Sequence, residues 1–397
     1  MRPRPTTKPF RRERVTRAVA ILAKIGALLI GGVATAAPTA TSVRTAVSAS
    51  TGQPAPLAAG PLNQVTTDPG YSGFPDTTAL PDGDLLTAYR SGSGHASADG
   101  KVRLRKSADG DIWTDWTEVA TPTGYAYGPS GIATETAAQG GRVYLTVTRY
   151  TSTGPSSGTD FRPYLTRSDD GGRTWTDLAK LPEPNAGWTY PSAVLVTNDG
   201  AVIASAYVKS SSTGRWNAHY WRSTDRGNTW TPFGMLSHAT RNFQEPQLVQ
   251  LDNGQLLTAL RSDAAGDSYD YVYTAIADPA TGTWSTPRAT VIHATGNPQL
   301  AKLPTGHIAL TYRGYEQLSE GSTPNAYPTR IAMLHADGSL AYRGNIDILA
   351  GEQRRYLYGN IVPVPGGGHR LVLSLEESAA VATVYSVPIR FAPIPDW

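Results

Sequence analysis

At 397 residues, with 40 Gly, 30 Pro, 9 Trp and 20 Tyr but only 17% charged residues, the chain has room for several ordinary domains or one large repeat fold. It is too rich in aromatics and turn formers for a helical bundle or a disordered polymer. The formal charge of +3 belongs to residues 1–36, which hold 8 of the 35 Lys and Arg and 1 of the 32 Asp and Glu. The remainder carries 27 basic and 31 acidic residues, which removes the compositional support for nucleic-acid binding.

Residues 1–36 read as a secretory signal: a basic start, the apolar run AVAILAKIGALLIGG, and the small-residue site Ala34-Thr35-Ala36. The apolar run is broken by Lys24 and is too short to span a bilayer, so no stable membrane insertion is expected after cleavage. Arg11-Arg12 points to the twin-Arg route as an alternative to general secretion, and either route places the mature protein outside the cell. Residues 37–60, rich in Ala, Thr, Ser and Pro, read as a flexible linker. The absence of Cys excludes disulfides and thiolate metal sites, and seven scattered His argue against zinc, so neither a metal nor a cofactor is expected.

From residue 61 to the end one pattern repeats: an apolar strand, a Gly/Asn/Asp turn, and a second apolar strand. Its copies are GFPDTTALPDGDLLTAYR, YGPSGIATETAAQGGRVYLTVTR, TYPSAVLVTNDGAVIASAYVK, RNFQEPQLVQLDNGQLLTALR, GNPQLAKLPTGHIALTYR and YGNIVPVPGGGHRLVLSLEE. They begin near Phe74, Gly128, Tyr190, Glu245, Asn297 and Asn360, at intervals of 52 to 63 residues. Most are followed by a further strand pair. That period and composition predict an all-β, six-bladed β-propeller of four-stranded antiparallel blades. The last unit lacks a fourth strand, which LNQVTTD from Leu62 would supply, closing the ring with an N-terminal strand.

Direction along the strands puts the start of each first strand and the end of each second strand on one face. That face gathers Glu245, Tyr190, Asn297, Asn360 and Tyr358 near the axis, with Arg90, Arg149, Lys209, Arg261 and Arg313 at the second-strand ends. Its loops bring His95, Asp99, Tyr125, Tyr127, Trp188, Trp216, Phe243, Tyr269, Tyr315 and Tyr327. Aromatic faces stack on sugar rings and Arg forks bind carboxylates, so the expected partner is a carbohydrate bearing an acid group. Glu245 is the one carboxylate that directly precedes its repeat's proline.

Two turns, Ser168 to Trp175 and Ser223 to Trp230, fit S-x-D-x-G-x-T-W, and Ser107 to Trp113 is a shortened version. These resemble the aspartate boxes of the sialidase superfamily, and the resemblance covers the chain from about residue 62 onward. It implies a structural role for Asp170 and Asp225. Glu245 followed by Arg261, and Tyr358 opening a strand that ends in an acid, are similar to the exo-sialidase pattern. The resemblance implies Tyr358 as nucleophile, Glu245 as its base, Asp99 or His95 as acid/base, and Arg261 and Arg330 as ligands of a substrate carboxylate. Gly73, in Ser72-Gly73-Phe74-Pro75, stands where the family's first Arg belongs, with Arg90 and Arg241 as the available substitutes. Tyr190, Trp188 and Asn297 complete the expected sugar contacts. The expectation is a secreted, monomeric exo-acting glycosidase that releases an acidic sugar with retention. The alternatives are a non-sialic exo-glycosidase, a uronate lyase, or a non-catalytic glycan-binding propeller.

Overall fold

The computed structural model describes residues 57–184, 188–264, 270–294, 296–314, 329–344, 355–365, 367–378 and 380–391. The leader, most of the linker, and Tyr269, Tyr315 and Tyr327 lie outside them. The fold is an all-β propeller of four-stranded antiparallel blades. Among the described residues the only helical element is one 3₁₀ turn, Ala137–Gln139.

Among the described residues the strands form five hydrogen-bonded sheets instead of six separate ones: one of nine strands, three of four and one of five. The nine-stranded sheet arises because the last repeat and the first are joined by a parallel bridge between Ala382 and Tyr71. Asn63 and Gln64 pair antiparallel with Ser386 and Tyr385 on the final strand. Leu57–Ala59, counted above as linker, also form a strand there, with Leu57 opposite Phe391 and Ala59 opposite Ile389. Side chains tie the same two repeats. Arg370 donates to the Asp109 carbonyl at 3.0 Å and to Asp111 at 2.7 Å, and Ser386 Oγ donates to the Gly110 carbonyl at 2.8 Å.

The first strands of the repeats are Tyr71–Ala79, Ala126–Thr134, Thr189–Val196, Arg241–Gln250, Gly296–Lys302 and Arg355–Pro363. Each packs on the next, and Arg355–Pro363 packs on Tyr71–Ala79. The apolar cores lie between neighbouring sheets. Leu303, Ala309, Ile331 and Met333, for example, meet Ile361, Leu371 and Leu373. Tyr127 and Phe243, expected on the open face, belong to such cores, because their rings follow the inward alternation of their strands.

The three aspartate boxes cap the hairpins between third and fourth strands. Asp170 Oδ1 accepts from the Arg173 and Thr174 N–H at 3.0 and 2.8 Å, and its Oδ2 accepts from Thr174 Oγ1 at 2.6 Å. Trp175 Nε1 donates to the Gly172 carbonyl at 3.0 Å. Asp109 and Asp225 cap their turns in the same way. Gly172 and Gly227, at φ 81° and 80°, take the left-handed conformation that closes these turns without steric cost.

Candidate functional site

A β-bulge shapes the site. All six first strands slip register near their start: between Gly73 and Asp76, Gln244 and Gln247, Gly296 and Gln299, and Leu357 and Asn360, and slightly later, after the proline, between Pro129 and Gly131 and between Pro191 and Val194. In four of them the bulge holds a non-glycine residue at positive φ: Phe74 at 54°, Glu245 at 50°, Asn297 at 52° and Tyr358 at 56°. Such backbone costs about 1–2 kcal/mol for an L-residue and turns the side chain out of the strand's alternation. Here it turns four side chains into one cavity of about 290 Å³, whose wall also includes His95, Tyr190, Phe161 and Tyr207. The size is near the lower end of small-molecule sites and suits one sugar ring.

Glu245 is fixed on both oxygens. Arg261 Nη1 donates to Oε1 at 3.1 Å, and the Asn297 backbone N–H donates to Oε2 at 2.6 Å. The Asn297 side-chain amide, turned to satisfy its surroundings, donates to the same carboxylate at 3.2 and 3.3 Å. Burial pulls the Arg261 guanidinium down, but the charges of Glu245, Tyr207, Asp263 and Tyr358 together outweigh it and raise the group above its ordinary value. Tyr358 is enclosed beside this pair. Burial pushes its phenol well above the usual range and the Glu245 charge adds to that, while Arg313 and Arg261 oppose it. Its ring packs on Phe74 at 4.6 Å between centroids.

His95 lies on the other side of Phe74, edge-on at 4.8 Å. Its Nδ1 sits 3.1 Å from Glu376 Oε1 and 3.0 Å from the Tyr71 hydroxyl, which leaves Nε2 as the uncommitted ring nitrogen. Glu376, at the end of the strand after Tyr358, is nearly buried. The Tyr71 ring also explains Gly73. A Cβ at Gly73 would lie 2.5 Å from Tyr71 Cε1 and 2.7 Å from its hydroxyl oxygen, so no longer side chain fits while Tyr71 stays in place.

Several sequence-based expectations are corrected. Asp99 is exposed, does not line the cavity, and accepts from the Ser93 N–H at 3.0 Å and from Ser93 Oγ at 3.0 Å. Desolvation pushes its carboxyl up, but hydrogen bonds from Ser97 and Ser93 prevail and hold it below the usual range, the wrong direction for an acid. Asp99 is a loop cap. Arg90 touches the cavity wall, but its guanidinium is buried and committed to the loop that carries His95. It donates to Tyr150 Oη at 2.9 Å, to the Ser97 carbonyl at 2.8 Å and to the Gly94 carbonyl. Arg241 opens its strand away from the cavity wall, and Arg330 is buried on Thr329–Leu334 opposite Tyr312. Asn297 is in the cavity, bound to Glu245. Trp188 stands at the rim against Phe161, and Tyr190 stacks on Tyr207 at 4.8 Å with planes 3° apart.

Phe161, Tyr150 and Asp76, besides Tyr207 and Tyr71, were not expected at the site from the sequence. Phe161 and Tyr150, stacked at 5.2 Å, extend the aromatic wall from a hairpin longer than its counterparts. Asp76 lines the cavity and accepts from the Ile132 N–H at 2.9 Å and the Thr77 N–H at 3.0 Å, so it clasps the neighbouring first strand. Burial outweighs those two donors and pushes its carboxyl up to about 7. The signal for Asp76 was its place one residue after the proline, where other copies have Ser192, Gln247 and Gln299, all polar. No group of His, Asp and Glu among the described residues could hold a metal ion.

A family model described as a BNR repeat-like domain matches residues 83–317, more than half of the chain. No curated protein sequence matches. Among solved structures, a protein of unknown function from Dyadobacter fermentans superposes with a TM-score of 0.71 at 15% identity, over 85% of this chain and 99% of that one. An α-L-arabinofuranosidase from Fusarium graminearum gives 0.60 at 16%, over 83% and 97%. The NanB sialidase from Streptococcus pneumoniae gives 0.61 at 13%, over 83% and 70%. These likenesses establish the fold. The matched repeat model shows that the chain belongs to the BNR repeat-like family.

Proposed function

We propose that this protein is a glycoside hydrolase that releases a terminal sugar with retention of configuration. Tyr358 attacks the anomeric carbon while Glu245 accepts its proton. His95, oriented by Glu376, protonates the leaving oxygen and then activates water for the second step. The observation that carries this reading is the convergence of Glu245, Tyr358 and His95 on one cavity, with Glu245 held by Arg261 and Asn297. A phenol is a poor nucleophile at neutral pH, so a fixed carboxylate beside it supplies what the attack requires. Tyrosine is a known exception to the two-carboxylate scheme of retaining glycosidases.

An uncharged sugar suits the cavity better than an acidic one. The position of Gly73 is filled by Tyr71, Arg90 is spent on the His95 loop, and Arg261 already neutralises Glu245. Uncharged walls of Tyr190, Tyr207 and Phe161 favour stacking on a sugar face. The relative from Fusarium is an arabinofuranosidase, which supports the same direction. We read the sheets as six blades in a closed ring sealed at the pairing of Asn63–Gln64 with the last strand. We further propose export through residues 1–36 and action as a monomer.

The test is hydrolysis of 4-nitrophenyl and methylumbelliferyl glycosides, with arabinosides, sialosides and uronides in parallel. Turnover of a neutral glycoside, lost in Glu245→Gln and Tyr358→Phe, supports the reading. Sialoside turnover lost in the same variants would reverse the sugar assignment and keep the mechanism. Unsaturated uronide products would replace hydrolysis with elimination.

A further inference from the structure

Resting on the hydrolase reading, we infer that the rim beside the cavity holds a second sugar-binding position, built by Trp188, Lys209 and Trp216. The substrate is then an oligosaccharide or polysaccharide end, and the position holds the sugar unit next to the one being released.

Three strands end side by side there. The strand Thr189–Val196 begins one residue after Trp188, Val202–Lys209 ends at Lys209, and Trp216–Ser223 starts at Trp216. Lys209 pairs directly with Trp216, and its backbone N–H donates to the Trp188 carbonyl at 3.1 Å. The three side chains therefore form a row fixed by strand pairing. The Lys209 ammonium lies 5.6 Å from the Trp188 ring and 5.9 Å from the Trp216 ring, so it stands between two indole faces.

The row continues the cavity wall. Trp216 meets both cavity tyrosines edge-on, Tyr190 at 5.4 Å and Tyr207 at 5.3 Å, and Trp188 meets Phe161 edge-on at 5.6 Å. Trp188 nevertheless keeps 37% of its surface open. With Tyr125 it is one of two exposed large aromatics among the described residues. Tyr125 is covered on one face by Arg149 at 4.1 Å. A partly open indole continuous with a sugar-sized cavity, with a cation over one face that can donate to hydroxyls, has the chemistry of a carbohydrate platform: its other face for the sugar ring and a polar donor beside it. The exposure of Trp188 gains a reason that packing does not supply.

The probes are linear arabinotriose, galactotriose and maltotriose against the 4-nitrophenyl glycosides of the same sugars. In the wild-type background, Trp188→Ala is expected to raise KM for the trisaccharide about tenfold and KM for the aryl glycoside less, because the smaller planar aryl group at the same position makes only part of the contact. Trp188→Phe should recover most of the loss, since a flat ring remains. Calorimetric titration of Tyr358→Phe gives a second readout that needs no turnover: adding Trp188→Ala should weaken trisaccharide binding by the same factor. Equal affinity with and without Trp188 overturns the proposal, as does a parent that binds none of the three. Trisaccharide binding that depends on Trp188 without any hydrolysis by the wild type leaves the rim position standing and removes the hydrolase reading instead.

Discussion

Glu245 and Arg261 stand sixteen positions apart on paired strands and meet at 3.1 Å, with the Asn297 N–H closing the other carboxylate oxygen. Both Glu245 oxygens are therefore preset before any substrate arrives. Glu245→Gln removes the proton acceptor and keeps the shape, so kcat should fall by about 10²–10⁴ with a small change in KM. Initial rates on the best aryl glycoside check this. A KM increase at constant kcat would make Glu245 a binding residue.

His95 and Asp99 should separate cleanly. His95→Asn is expected to lower kcat by about 10²–10⁴, because nothing else in the cavity offers an oriented imidazole. Asp99→Asn should stay within about threefold, since Asp99 only caps the Ser93 turn. On the proposed mechanism Glu376 acts through His95, so Glu376→Gln should lose less than His95→Asn, and the double variant should be no worse than His95→Asn alone. Additive losses would break the proposed coupling.

Asp76 makes stability depend on pH. An acid whose folded-state value is raised to about 7 holds its proton more tightly folded than unfolded. No penalty exists below about pH 4. It develops as the pH climbs through about 7, where it reaches at most about 4 kcal/mol. Asp76→Ser, which installs the residue that Ser192 provides in its own repeat, should flatten the decline. The measurement is Tm from pH 4.5 to 8.5 for both proteins, and parallel curves would refute the assignment.

The aspartate boxes should matter for stability alone. Asp170→Ala removes the acceptor of two backbone N–H groups and of the Thr174 hydroxyl, at a cost of about 1–2 kcal/mol. Chemical denaturation should register that loss while kcat on folded protein stays unchanged.

The repeat architecture was legible because it is written in spacing: each copy carries its own strands and turn, five of the six carry a proline near the strand start, and the boxes mark the outer hairpins. Glu245 was legible because it broke a pattern. Asp99 misled because an acid in a loop looks the same in sequence whether it faces a substrate or caps a turn, and only the Ser93 contacts separate the two. Arg90 misled for a related reason, since its place at a strand end does not reveal that its donors are used by the loop beyond it. The partnership of His95 with Glu376 joins residues 281 positions apart, which no local pattern could report.

The left-handed bulge has an evolutionary consequence. Phe74, Glu245, Asn297 and Tyr358 occupy equivalent sockets whose aim is set by the backbone and not by the side chain they hold. A substitution in one socket changes the chemistry offered in the cavity without asking the scaffold to move. Such a set of sockets can exchange a phenol for a carboxylate, or an amide for either, one position at a time. New specificities on this architecture are then reached by refilling sockets, with the surrounding strands left as they are.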